Sequence, residues 1–159
     1  VDIDSIADRL SSLFPGSVRG IEKEHAGDPF LVMDPARLVE VCMHLRDDQE
    51  MRFEWLMCLS GVDYPPETIA VVYHIHSQTH GQKLVLKVLL ARSEPRVPSV
   101  ESVWKMANFH ERECYDMFGV DFEGHPDLRR ILLPEDWEGH PLRKDYVYPE
   151  SYRGVTNKA

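Results

Sequence analysis

Cysteine is scarce in this chain and poorly placed for chemistry. Cys42, Cys58 and Cys114 are an odd count, far apart, with no C-x-x-C pair. That argues against a disulfide framework and against a zinc or iron–sulfur site built by this chain alone. In apolar surroundings each thiol behaves as a small hydrophobe. No apolar run approaches the roughly 18–20 residues that cross a bilayer. The opening VDIDSIADRL lacks the basic region and apolar stretch of an export signal, so a cytoplasmic location is expected. No glycine-rich loop opens a helix to cradle a phosphate, and no Ser or Cys sits in a nucleophile elbow or dyad. Positive charge is also short: 18 Lys and Arg against 27 Asp and Glu give a formal net charge of −9. Nucleic acid and anionic membrane are therefore poor candidates for the main partner.

What is present reads as one α+β domain followed by an arm. Of the 159 residues, 43% are hydrophobic and 9% aromatic, the composition of an ordinary fold with a moderate core. Ile6, Leu10, Leu13 and Phe14 share one face of a short helix that Pro15-Gly16 stops. SVRGIEKE and FLVM read as strands around the turn HAGDP, and Asp34-Pro35 opens a second helix with Leu38, Val39, Cys42 and Leu45 as its core stripe. Three alternating segments follow. Phe53, Trp55, Met57 and Leu59 define one face of the first, Ile69, Val71, Tyr73 and Ile75 of the second, and Leu84, Leu86, Val88 and Leu90 of the third. A third helix is expected from Ser99 to Phe118, with Gly119 as its stop. The expected fold is a two-layer α+β body over residues 1–120, a mostly antiparallel sheet covered by helices. Residues 121–159 lack periodicity and form an extended, irregular C-terminal arm rich in Pro, Gly, charge and aromatics. Within it Glu123-Gly124-His125-Pro126 is echoed by Glu138-Gly139-His140-Pro141, two turns predicted to share one local geometry.

The third helix holds the unusual residues. Val100, Val103, Trp104, Ala107, Cys114, Tyr115 and Phe118 fall on one broad face at about 100° per residue. His110 and Glu111 interrupt that apolar face, while Lys105, Arg112 and Asp116 fall opposite. One explanation is acid–base chemistry by a buried Glu111 beside His110. The other is a carboxylate bonded to arginine or backbone donors of the arm, which supplies Arg129, Arg130 and Arg143. The second is favoured. A metal site would have to start from His74 and His76, two apart on one strand face, with His125 and His140 joining from the arm. The residues alone thus favour a binding module, with a small metal- or carboxylate-dependent enzyme using His110 and Glu111 as the competing class.

Glu111-Arg112-Glu113-x-x-Asp116-Met117-Phe118-Gly119, followed by His125, Arg129, Ile131 and Leu132, resembles the signature of the 30 kDa subunit family of respiratory complex I. In bacteria the family serves NADH:quinone oxidoreductase. EGHPDLRRILLPEDWEGHPLRKDY, residues 123–146, looks like its C-terminal hallmark, with Phe109 replacing the Trp of many relatives. Similar subunits occur in membrane-bound hydrogenases, formate hydrogenlyase-type complexes and F420H2 dehydrogenases, but the LPEDWEGHPLRKDY wording leans toward the quinone reductase.

The resemblance implies a cofactor-free, non-catalytic subunit on the cytoplasmic side of the inner membrane, peripheral and without direct insertion. FMN, iron–sulfur clusters and quinone would belong to neighbouring subunits. The body would lie against the large quinone-site subunit, and the arm would reach over adjacent iron–sulfur subunits. His110 and Glu111 would anchor the arm, and Arg112, Glu113 and Asp116 would serve a further contact. In the arm, His125, Arg129, Arg130, His140, Arg143, Lys144 and Asp145 would set register, with Trp137 and Tyr146 as the aromatic hot spots.

Overall fold

The computed structural model describes residues 2–24 and 27–156. The expected turn at His25-Ala26 and the last three residues of the arm lie outside the described residues. Helix α1 (Ile3–Leu13) begins where Asp2 accepts the Ser5 N–H at 3.0 Å, and it buries Ile6, Ala7 and Leu10. Leu13, expected on that stripe, is exposed. Strands β1 (Val18–Glu22) and β2 (Phe30–Met33) follow. The Asp34 carboxylate then caps a short turn, Pro35–Arg37, that runs into α2 (Leu38–Asp47). Strands β3 (Trp55–Tyr64), β4 (Thr68–Ser77) and β5 (Gln82–Ala91) form a meander. The five strands make one sheet in the order β1-β2-β5-β4-β3, antiparallel except for the β2–β5 pair.

The predicted core faces of β4 and β5 are buried as expected. In β3 the alternation fails. A bulge between Leu56 and Cys58 adds a residue, so Leu56 and Leu59 face the core while Trp55 and Met57 are exposed. Cys42 and Cys114 are buried, and burial pushes both thiols up; Cys58 is half-buried. Short strands β6 (Arg96–Pro98) and β7 (Asp121–Glu123) pair in parallel, and Phe122 of β7 belongs to the core. Residues 121–123 are thus structurally part of the body, although their sequence reads as the start of the arm.

Helix α3 spans Ala107–Phe118, eight residues shorter at its start than the apolar pattern predicts. The reason is tertiary. Arg46 donates to the Val103 carbonyl at 2.8 Å, and the Trp104 indole donates to the Phe53 carbonyl at 3.1 Å. With the Val103 carbonyl engaged, the Ala107 N–H turns to Trp104, and the chain before it is irregular, with turns at residues 101–103 and 105–106. Gly119 ends α3 with φ +74°. The helix lies against β3 at Gly61, where a Cβ would stand 2.5 Å from Phe118 and 2.9 Å from the Cys114 sulfur. Only glycine permits so close an approach.

Candidate functional site

The buried polar residues of α3 sort into two faces. Toward the body, Glu111 is fully buried, and it does not touch the arm's arginines. Its oxygens accept from the Ser99 hydroxyl at 2.6 Å and the Val100 N–H at 2.7 Å. This corrects the expectation that an arm arginine holds Glu111: the turn before α3 supplies the donors instead. His110 is half-buried, and among the described residues no hydrogen bond joins it to the arm. Glu113 is exposed.

The opposite face, which the sequence reads as open, is where the arm folds back. Arg112 and Asp116 are buried beneath it. One Asp116 oxygen accepts three successive backbone N–H groups, from Ile131, Leu132 and Leu133, at 3.1, 2.8 and 2.9 Å. The other accepts from the Arg130 guanidinium at 2.6 Å. Burial alone would raise this carboxyl, but the three N–H donors and Arg130 outweigh it and hold the pKa below the usual value. Arg112 answers by donating to the carbonyls of Arg129 and Arg130 at 3.2 and 3.0 Å. Arg130 also reaches the carbonyls of Trp137 and Gly139 at 2.8 and 3.0 Å. A run of irregular chain is thus tied to two helical side chains spaced i, i+4.

The two echoed turns behave alike. Gly124 and Gly139 have φ +82° and +78°, and each following histidine reaches a main-chain carbonyl of α3. His125 Nε2 lies 3.1 Å from the Asn108 carbonyl near the start of the helix, and His140 Nδ1 lies 3.0 Å from the Asp116 carbonyl near its end. Burial foremost, with Arg130 and Arg143 adding, lowers the His140 pKa against the pull of that carbonyl. His140 is therefore neutral near pH 7 and donates through Nδ1. Beyond it Arg143 donates to the Phe118 carbonyl at 2.6 Å. The Lys144 N–H donates to Asp63 at 2.7 Å. Arg92 holds Asp63 through two bonds, at 2.8 and 3.0 Å, and pairs with Asp145 at 2.6 Å. The Arg92 bonds first, then Lys144, keep the Asp63 carboxyl below its usual range despite burial. Arg129 is exposed and bonded locally to Asp127.

The two predicted hot spots are half-buried within the arm. Trp137 packs on Tyr152 with ring centroids 4.9 Å apart, and the Tyr146 hydroxyl donates to the Glu138 carbonyl. The Tyr146 ring also lies against Gly139, where a Cβ would meet it at 2.8 Å. The outward apolar side chains are others: Leu132 (61% exposed), Leu142 (51%), Val147 (83%) and Tyr148 (64%). The sequence did not single out these four as contacts because they carry no charge and no periodicity, and Leu132 entered only as part of the family signature. The signal available was an apolar residue recurring in a segment with no core of its own. His74 and His76 lie on the uncovered sheet face, and among the described residues no three His, Cys, Asp or Glu come together as metal ligands.

Residues 31–152 match the profile of the respiratory-chain NADH dehydrogenase 30 kDa subunit family, a span that takes in strands β3–β5, α3 and most of the arm. The chain belongs to this family. An NADH-quinone oxidoreductase subunit from Chloroherpeton thalassium is 50% identical over 72% of the chain and 48% of its own length. The like-named protein of a Roseiflexus species is 47% identical over 86% of the chain and 79% of its own length. The chain therefore spans about half of the first relative and about four fifths of the second. Among solved structures, the trypsin-resistant fragment of Nqo5 superposes with a TM-score of 0.64 at 31% identity, covering 79% of this chain and 98% of the fragment. A chain of the membrane-bound sulfane sulfur reductase, an archaeal respiratory membrane complex, shares the fold with a TM-score of 0.73 at 21% identity. The match covers 91% of this chain and 85% of that one. No helix among the described residues is long and apolar enough to cross a membrane.

Proposed function

We propose that the chain is a cofactor-free docking subunit of a proton-translocating NADH:quinone oxidoreductase. It sits peripherally on the cytoplasmic side of the membrane, its body lies against the large quinone-site subunit, and its arm contacts adjacent iron–sulfur subunits. Redox chemistry on FMN, iron–sulfur clusters and quinone belongs to those neighbours. The observation that carries the reading is the arm itself. Its polar groups are spent inward on Asp116, Arg112 and Asp63, while Leu132, Leu142, Val147 and Tyr148 point out. An arm fixed in shape before it meets a partner loses little entropy on binding. Exposed apolar groups on such a scaffold suit burial in an interface core. The names of the relatives favour the quinone reductase over the hydrogenase-type complexes.

The test is the double substitution Leu142→Asp with Val147→Asp, on side chains that support no fold. The expected outcome is a chain that folds normally but is recovered at a tenfold or lower level in the assembled complex. Full assembly of this variant would contradict the docking role of the arm.

A further inference from the structure

Glu111 is the buried carboxylate that the seat of the arm does not use. The Ser99 oxygen that serves it also accepts the Glu101 N–H at 3.1 Å, so the hydroxyl proton goes to Glu111. His125, in the turn just after β7, places Nε2 3.9 Å from the same carboxylate, and both side chains are fully buried. Two bonds fix the state of that imidazole. The Asp127 N–H donates to Nδ1 at 2.9 Å, so Nδ1 holds no proton. Nε2 therefore holds it and donates to the Asn108 carbonyl at 3.1 Å. His125 is neutral, and an ionised Glu111 has no cation beside it.

The other groups that face Glu111 give no relief. Glu101 in the turn after β6 offers only like charge, and Tyr73 of β4 and Cys114 of α3 are buried neutral groups, with Cys42 of α2 near Tyr73. Burial first, with Glu101 adding, raises the Glu111 carboxyl to about 7 against the donors Ser99 and Val100.

We propose that Glu111, Ser99 and His125 form a proton-operated latch between α3 and the root of the arm. With the proton on Glu111 the cluster is neutral and the turn at residues 125–127 is held. Loss of the proton leaves a buried anion whose relief acts on the arm root. Water enters beside His125 and loosens the turn at residues 125–127.

The sign follows from linkage. A folded-state pKa raised from 4.5 to about 7 gives stability that is complete below pH 4.5 and is lost as pH rises to about 7.

The test is carbon-detected NMR of the Glu111 carboxyl in the full chain from pH 5 to 9, with the Val100 and Asp127 amides followed alongside. The latch predicts a shared midpoint near 7. It also predicts that hydrogen-exchange protection at residues 125–128, corrected for intrinsic rates, falls at least tenfold across that midpoint. Glu111→Gln, neutral and of the same shape, should hold protection flat. Ser99→Ala removes a donor from the anion and should move the midpoint upward, a shift that remains readable if the Gln variant fails to fold. A Glu111 carboxyl that titrates near 4.5 would overturn the proposal. So would one that titrates near 7 while the Asp127 amide and the arm root stay unchanged.

Discussion

Asp116 shows how one residue can organise an irregular segment. A carboxylate on a helix accepts three consecutive N–H groups and a guanidinium, which is the pattern of an anion nest turned inward. Asp116→Asn keeps the volume but withdraws the charge from four donors. Breaking a buried charged network of this kind costs about 3 kcal/mol. The expected result is exchange of the Leu132 and Leu133 amides about a hundredfold faster, with the sheet amides unchanged. The pH dependence of this contact is opposite to that of Glu111. The lowered pKa values of Asp116 and Asp63 give stability that is complete above their ordinary 3.8 and is lost as pH falls through their folded values. Acid should therefore free residues 130–145, while pH near and above 7 loosens residues 125–127. A fluorescence probe at each position, followed from pH 2 to 9, checks the order.

At the scale of elements, periodicity identified every helix and long strand because one buried face leaves a period of 2 or 3.6. It failed where a contact from elsewhere decided the local form. The bulge in β3 moved Trp55 and Met57 outward, and Arg46 and Trp104 delayed the start of α3. The helical wheel correctly put Arg112 and Asp116 away from the core, but it could not show that the arm builds a second buried layer there. The echoed Gly-His-Pro turns were legible, since left-handed glycines have a local cause. The histidines' carbonyl partners were not, because those lie 17 and 24 residues away. The arm's ordering can be read by limited trypsin digestion of the free chain. Arg153 projects from an exposed hairpin and should be cut first, whereas the bond after Arg130 should resist. In Asp116→Asn that bond should be cleaved at least tenfold faster. Equal rates in the two proteins would mean that the Asp116 contacts do not hold the arm.

For the whole molecule, the charge balance and the apolar arm fit together. A net charge of −9 resists self-association, while the arm carries mixed charges and exposed apolar side chains. The α+β core supplies a rigid base, and α3 transmits its position to the arm through Asp116, Arg112 and the carbonyls at the end of the helix. The chain's contribution to a respiratory complex would then be geometric: it fixes where neighbours sit. The most direct measurement is to tag the chain in its native host, solubilise the membranes gently and determine what co-purifies. A docking subunit of a quinone reductase should bring with it a large assembly that contains iron and flavin and oxidises NADH with a quinone acceptor. Recovery of the chain as a lone 18.4 kDa species from membranes that retain that activity would contradict it.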